Sequence, residues 1–87
     1  MKNWKEEENR LKASFKFEDF VQAFGFMTQV AIVAEKQDHH PNWYNVYNEV
    51  HFELSTHEAG DVVTEKDRQL ASEIDKIYKV FSVSPDQ

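Results

Sequence analysis

Leu11-Lys12-Ala13-Ser14-Phe15-Lys16-Phe17-Glu18-Asp19-Phe20-Val21-Gln22-Ala23-Phe24-Gly25-Phe26-Met27 changes its apolar period partway along. In the first part Leu11, Ala13, Phe15 and Phe17 alternate with the polar Lys12, Ser14 and Lys16. Successive strand side chains point to opposite faces, so this alternation predicts a half-buried antiparallel strand over 11–17. From residue 18 the period is helical. Phe20, Phe24, Met27, Ala31 and Ala34 recur at spacings of three and four, with Val30 alongside, which predicts an amphipathic helix over 18–38. Phe20, Phe24 and Met27 read as its core-facing stripe. Glu18 and Asp19 fall in the first turn, where the helix dipole favours negative charge. Gly25 inside the helix costs up to ~1 kcal/mol relative to Ala. Its usual reason is the close approach of another element.

Outward from this stretch the elements fall into a simple order. Upstream, a short strand is expected around Trp4 to Glu7, with a turn at Glu8-Asn9. Downstream, Pro41 disfavours helix at His40 and ends it there, so Asp38-His39-His40 lies where helix gives way to loop. Tyr44 to Tyr47 and Val50 to Ser55 read as two strands joined by a tight turn at Asn48-Glu49. In the second, Val50, Phe52 and Leu54 face one way, and His51, Glu53 and Ser55 the other. A loop from Thr56 to Val63 follows. Thr64 then reads as the N-cap of a last helix, with Asp67 at its third position. Leu70, Ile74, Ile77, Tyr78 and Phe81 form that helix's apolar stripe. Ser84 to Gln87 is expected to be a loose polar tail. The order β-β-α-β-β-α implies an α+β fold, a four-stranded antiparallel sheet with both helices on one face, in a single domain over 1–87. Edge pairing between two subunits would cover an exposed strand.

Bulk properties narrow the function classes. A chain of 87 residues is small enough that oligomerisation would help hide apolar surface. The formal charge of −6 disfavours direct nucleic-acid or anionic-membrane binding. No Cys is present, which excludes disulfides, thiolate metal sites and cysteine nucleophiles. No apolar run is long enough to span a membrane, and Met1 to Glu8 lacks the apolar core of a signal peptide. A soluble, cytoplasmic protein is expected, with a nuclear presence also open.

The four His residues carry the chemical signal. His39 and His40 are adjacent, before a helix-breaking Pro, with Asp38 beside them and Glu35 four residues before His39. His57 follows Ser55-Thr56 at a strand end. Imidazole titrates near neutrality, so it exchanges protons without much tuning. A bland reading stands beside this one: one His caps helix carbonyls while the other is solvated. His51, in mid-strand, reads as structural or as a subunit contact.

Three segments resemble the pterin-4a-carbinolamine dehydratases. They are Phe15-Lys16-Phe17-Glu18-Asp19-Phe20 with Ala23 to Thr28; Ala34 to Asn48, including Asp38-His39-His40-Pro41-Asn42-Trp43; and Leu54-Ser55-Thr56-His57-Glu58 with Thr64-Glu65-Lys66-Asp67. The resemblance implies the same α+β fold, in dimers that pair into tetramers. It implies dehydration of 4a-hydroxytetrahydropterin to the quinonoid dihydropterin, which recycles the cofactor of aromatic amino-acid hydroxylases. It implies no cofactor, and in some members a second role as dimerisation partner of a homeodomain transcription factor. His39, His40 and His57 resemble the family's active-site imidazoles. Asp38, His39, His40, Ser55, Thr56, His57 and Glu58 resemble the segments lining the pterin pocket. Glu35, Trp43 and Asp67 match positions around it. By the residues alone, Trp43 could equally be core, Asp67 a capping residue and Glu35 a surface ion-pair partner.

Two rival readings remain. A metal site could use Glu35 and His39, four apart on a helix, with His57. Adjacent His39 and His40 are awkward as paired ligands, so no metal is expected. A non-catalytic dimerisation module of the same fold is the alternative from another class, although it has no need of three imidazoles. The sequence also departs from the family pattern. The segment before the first strand leaves no room for the helix many members carry there. The loop Ala59 to Val63 is longer than in the close animal members and lacks their Cys. Lys66 stands where they often have Arg, and so loses the planar fork.

Overall fold

The computed structural model describes residues 3–82. Its elements are β1 (Lys5–Glu7), β2 (Arg10–Lys16), α1 (Phe20–Gln37), β3 (Asn42–Val46), β4 (Glu49–Leu54), a 3-10 turn (His57–Ala59) and α2 (Glu65–Ser82). The four strands form one antiparallel sheet in the order β1-β2-β4-β3, as the period-two patterns require. The expected polar tail, Ser84 to Gln87, lies outside the described residues.

Alternation sorts the two faces of the sheet. Leu11, Ala13, Phe15 and Phe17 are buried, as are Val50, Phe52 and Leu54. Register pairs Ala13 with Phe52 and Phe15 with Val50, so one apolar layer crosses both central strands. Phe52 lies at the middle of it, with ring centroids 5.7 Å from Trp4, 5.8 Å from Phe15, 6.1 Å from Phe26 and 5.6 Å from Trp43. Burying such a side chain contributes about 2–3 kcal/mol. Both helices cover this face. From α2 come Leu70, Ala71 and Ile74. Tyr78 packs on Phe15 and donates its hydroxyl to the Lys16 carbonyl at 3.1 Å. At the sheet edge the indole Nε1 of Trp4 donates to Asp75 Oδ1 at 2.9 Å, tying the first strand to α2.

The first helix buries a different stripe from the one its aromatic spacing suggests. Ala23, Phe26, Val30 and Ala34 are buried, whereas Phe20 and Phe24 are 47% and 54% exposed and stack on each other. Met27 is half-buried against the core. Two apolar stripes run side by side on α1. The sheet takes the one with small Ala at both ends, where helix and sheet approach closely. Gly25 faces α2: a Cβ there would lie 3.3 Å from Cε1 of Phe81, which is the close approach that its position inside a helix implied.

Several boundaries shift by a residue or two. Glu18 precedes the helix, and Asp19 is its N-cap, accepting from the Gln22 amide at 2.9 Å. The β3–β4 turn is Tyr47-Asn48, not Asn48-Glu49. Tyr47 adopts a left-handed φ of 51°. The Asn45 side-chain amide holds the turn by donating to the Tyr47 and Glu49 carbonyls.

Candidate active site

Three local structures deliver the histidines. The first is the end of α1. Asp38 has a left-handed φ of 52°, a conformation that Asp tolerates better than most residues. Its amide bonds back to Glu35, and the His39 amide to Ala34 at 3.1 Å. This is the paired closure of a Schellman motif, with Asp in the place usually held by Gly. The sharp reversal sends the neighbouring rings to different environments. His39 is 8% exposed, whereas His40 lies in solvent.

The second is the end of β4. Alternation continues past the strand, so Thr56 is buried like Leu54. The 3-10 turn then begins, and His57 lies on its exposed side. The third is the start of α2. Asp67 Oδ2 accepts from the Thr64 amide at 2.8 Å, the carboxylate half of a capping box.

Asp67 joins all three. It is fully buried. Its Oδ1 accepts from His39 Nε2 at 2.6 Å, and its Oδ2 also accepts the Thr56 hydroxyl at 2.8 Å. Thr56 and Thr64 share a hydroxyl contact of 2.5 Å. This short buried contact holds the His39 ring in position. Among the described residues, no buried side-chain polar atom lacks a partner.

His40 and His57 are held differently. His40 Nε2 donates to Glu35 Oε1 at 2.8 Å, and this hydrogen bond raises the imidazole above its ordinary pKa. His57 Nδ1 meets Asp61 Oδ1 at 3.0 Å, which raises His57 in the same way, with Glu58 adding to it. Both side chains are exposed. Among the described residues, no hydrogen bond joins any of the three rings directly. The helix end and the strand end are brought together through Asp67.

The remaining candidates fall as follows. Glu35 is the partner of His40, not of His39. Trp43 is half-buried and packs on Phe52 at 34°. Ser55 is half-buried and Glu58 exposed. Glu58 lines a hollow of about 390 Å³ with Thr56, Ala59, Thr64, Glu65 and Lys66, beside the His57 turn. His51 lies on the open face of the sheet, stacked on Tyr44 at 4.5 Å and bonded to Ser14 at 2.7 Å and to Glu49 at 3.2 Å. Asp61 is a residue that sequence reading missed. Its one signal was a carboxylate four positions after a His, in a loop.

Comparison with known proteins shows the family and the fold. The protein-family model described as pterin 4 alpha carbinolamine dehydratase matches residues 1–77. A Paraburkholderia xenovorans protein is 58% identical over 67 residues, covering 77% of this chain and 69% of its own. A Prochlorococcus marinus protein is 48% identical over 75 residues, covering 86% and 78%. Both carry the name "Putative pterin-4-alpha-carbinolamine dehydratase". A crystal structure of a transcriptional coactivator/pterin dehydratase from Brucella melitensis superposes with a TM-score of 0.83 at 45% identity, over 87% of this chain and 82% of the other. A pterin dehydratase-like RuBisCO assembly factor of the alpha-carboxysome superposes at 0.70 with 22% identity, a likeness of fold alone.

Proposed function

Because this chain belongs to the pterin 4 alpha carbinolamine dehydratase family, we propose that it is a hydro-lyase that dehydrates 4a-hydroxytetrahydropterin. The observation that supports the reading is the Asp67 junction, whose two carboxylate oxygens bond to His39 and to Thr56, the residue before His57. A helix end bearing two imidazoles and a strand end bearing a third are thereby held together.

The chemistry suits these groups. The substrate carries a hydroxyl on C4a and a hydrogen on N5. Breaking the C4a–O and N5–H bonds releases water and leaves the C4a=N5 double bond of the quinonoid dihydropterin. One proton goes to the departing hydroxyl and one leaves N5, so an acid and a base each act once, and solvent resets them. His40 and His57 form the acid–base pair. Both are exposed, and each has one nitrogen on a carboxylate and the other without a hydrogen bond among the described residues. His39, with Nε2 committed to Asp67, shapes the site, and Asp38, Ser55, Thr56 and Glu58 line it. No step is a redox step, and the reading needs no cofactor.

The same reading has the chain working as a homodimer or homotetramer in the cytoplasm. The exposed Tyr44 and Val46 on edge strand β3 favour association. Among the described residues, no helix is long and apolar enough to cross a membrane. A second reading, as a transcription-factor partner, is favoured by the exposed Phe20–Phe24 stack on α1 and by the coactivator description of the Brucella melitensis relative. Incubation of the purified chain with synthetic 4a-hydroxytetrahydropterin separates the two. Turnover supports the dehydratase, and pterin binding without turnover supports the partner module.

A further inference from the structure

The loop after His57 is built around an unusual residue. Asp61 has a φ of 61°, in the left-handed region that most residues with a Cβ avoid and that Asp tolerates better than most. Gly60 beside it has a φ of 91° and carries no such penalty. The backbone of Asp61 is nonetheless secured from two sides. Its amide donates to the Thr56 carbonyl at 3.1 Å, and its own carbonyl accepts from Arg10 at 3.1 Å. Next to it, Thr56 and Val62 form a bridge through a 2.8 Å bond. The left-handed turn aims the Asp61 carboxylate at His57 Nδ1. An exposed ion pair adds little to stability, so stability alone does not account for the contact between Asp61 and His57.

We propose that Asp61 is a positioning residue for the dehydration, fixing His57 as the Nδ1–H tautomer so that Nε2 is the atom that exchanges a proton with substrate. This rests on the dehydratase reading above. The carboxylate accepts only, so it admits a single neutral tautomer of His57. An amide at the same place would admit both. The charged groups acting on His57 are Asp61 and Glu58, while Arg10 reaches the Asp61 carbonyl and not its carboxylate.

The test compares Asp61→Asn and Asp61→Gly with the parent chain, in both wild-type and His57→Ala backgrounds. Asp61→Gly suits the left-handed backbone and guards against a folding defect. Two readouts are followed: ¹⁵N and ¹H titration of the His57 ring, and kcat against pH. The expected result has three parts. The ring pKa of His57 falls and its second tautomer becomes populated. The limb of the kcat profile set by His57 moves to lower pH. Finally, kcat drops roughly tenfold or more in the wild-type background and not at all in His57→Ala. An unchanged His57 ring, or an equal loss in the His57→Ala background, overturns the proposal. A parent chain that titrates as expected yet shows no turnover contradicts the dehydratase reading instead.

Discussion

His39 and Asp67 meet at 2.6 Å although 28 positions apart in sequence, and their contact is buried. It is the point where the end of α1, the end of β4 and the start of α2 become one structure. Asp67→Asn keeps the shape and removes the charge that three donors share. Hydrogen bonds to a charged group are worth about 1.5–3 kcal/mol each. A loss of roughly 2 kcal/mol is therefore expected, read from the shift in urea midpoint. Thr56→Val removes one of those donors and is expected to cost less.

The exposed imidazoles predict a specific titration. His40 and His57 are both raised above the ordinary value of 6.5, chiefly by the hydrogen bonds they donate to Glu35 and Asp61. A group raised on folding adds stability below its unfolded pKa and loses that contribution as pH rises through the folded pKa. Both rings are exposed and solvent screens them, so the contribution to stability is small. The ring signals themselves are the sensitive measure. Each is expected to titrate above its unfolded value, and Glu35→Gln to bring His40 back down while leaving His57 in place.

The choice of buried stripe on α1 is tested by two phenylalanines. Phe52→Ala empties the centre of the aromatic layer and is expected to cost about 3–5 kcal/mol. Phe24→Ala, on the exposed stack, is expected to cost less than about 0.5 kcal/mol. Chemical denaturation of the two variants checks this. A comparable loss from both would mean that Phe24 is covered in solution by another surface.

Much of this was legible in the sequence because strand alternation is a hard constraint. The faces of β2 and β4 follow from Leu11-Ala13-Phe15 and Val50-Phe52-Leu54, and the start of the last helix from Thr64 and Asp67. The face of α1 was not legible. Phe20 and Phe24 share helical spacing, and so do Ala23, Phe26, Val30 and Ala34. Period alone cannot choose between adjacent stripes, whereas close packing can. The His-His-Pro segment marked where the chain reverses, but not that the reversal buries one ring and exposes the next. That follows from Asp38 taking a left-handed conformation. Asp61 was invisible for the same reason: its aim depends on bonds to Thr56 and Arg10, which no local pattern in the loop announces.

Gly25 predicts a size threshold. Ala there gains up to about 1 kcal/mol of helix propensity but brings a Cβ to 3.3 Å from Phe81. The two effects nearly offset, so little change in Tm is expected. Leu there must push α1 and α2 apart and is expected to destabilise by about 1–3 kcal/mol.

Proton exchange by two solvent-facing imidazoles is measured most directly by the rate at which 4a-hydroxytetrahydropterin loses water. The purified chain is expected to accelerate that loss well beyond buffer. His40→Ala and His57→Ala are each expected to lower kcat by at least about 100-fold, with added imidazole restoring part of it. A parent chain no faster than buffer, or either variant turning over at the parent rate, would contradict the assignment.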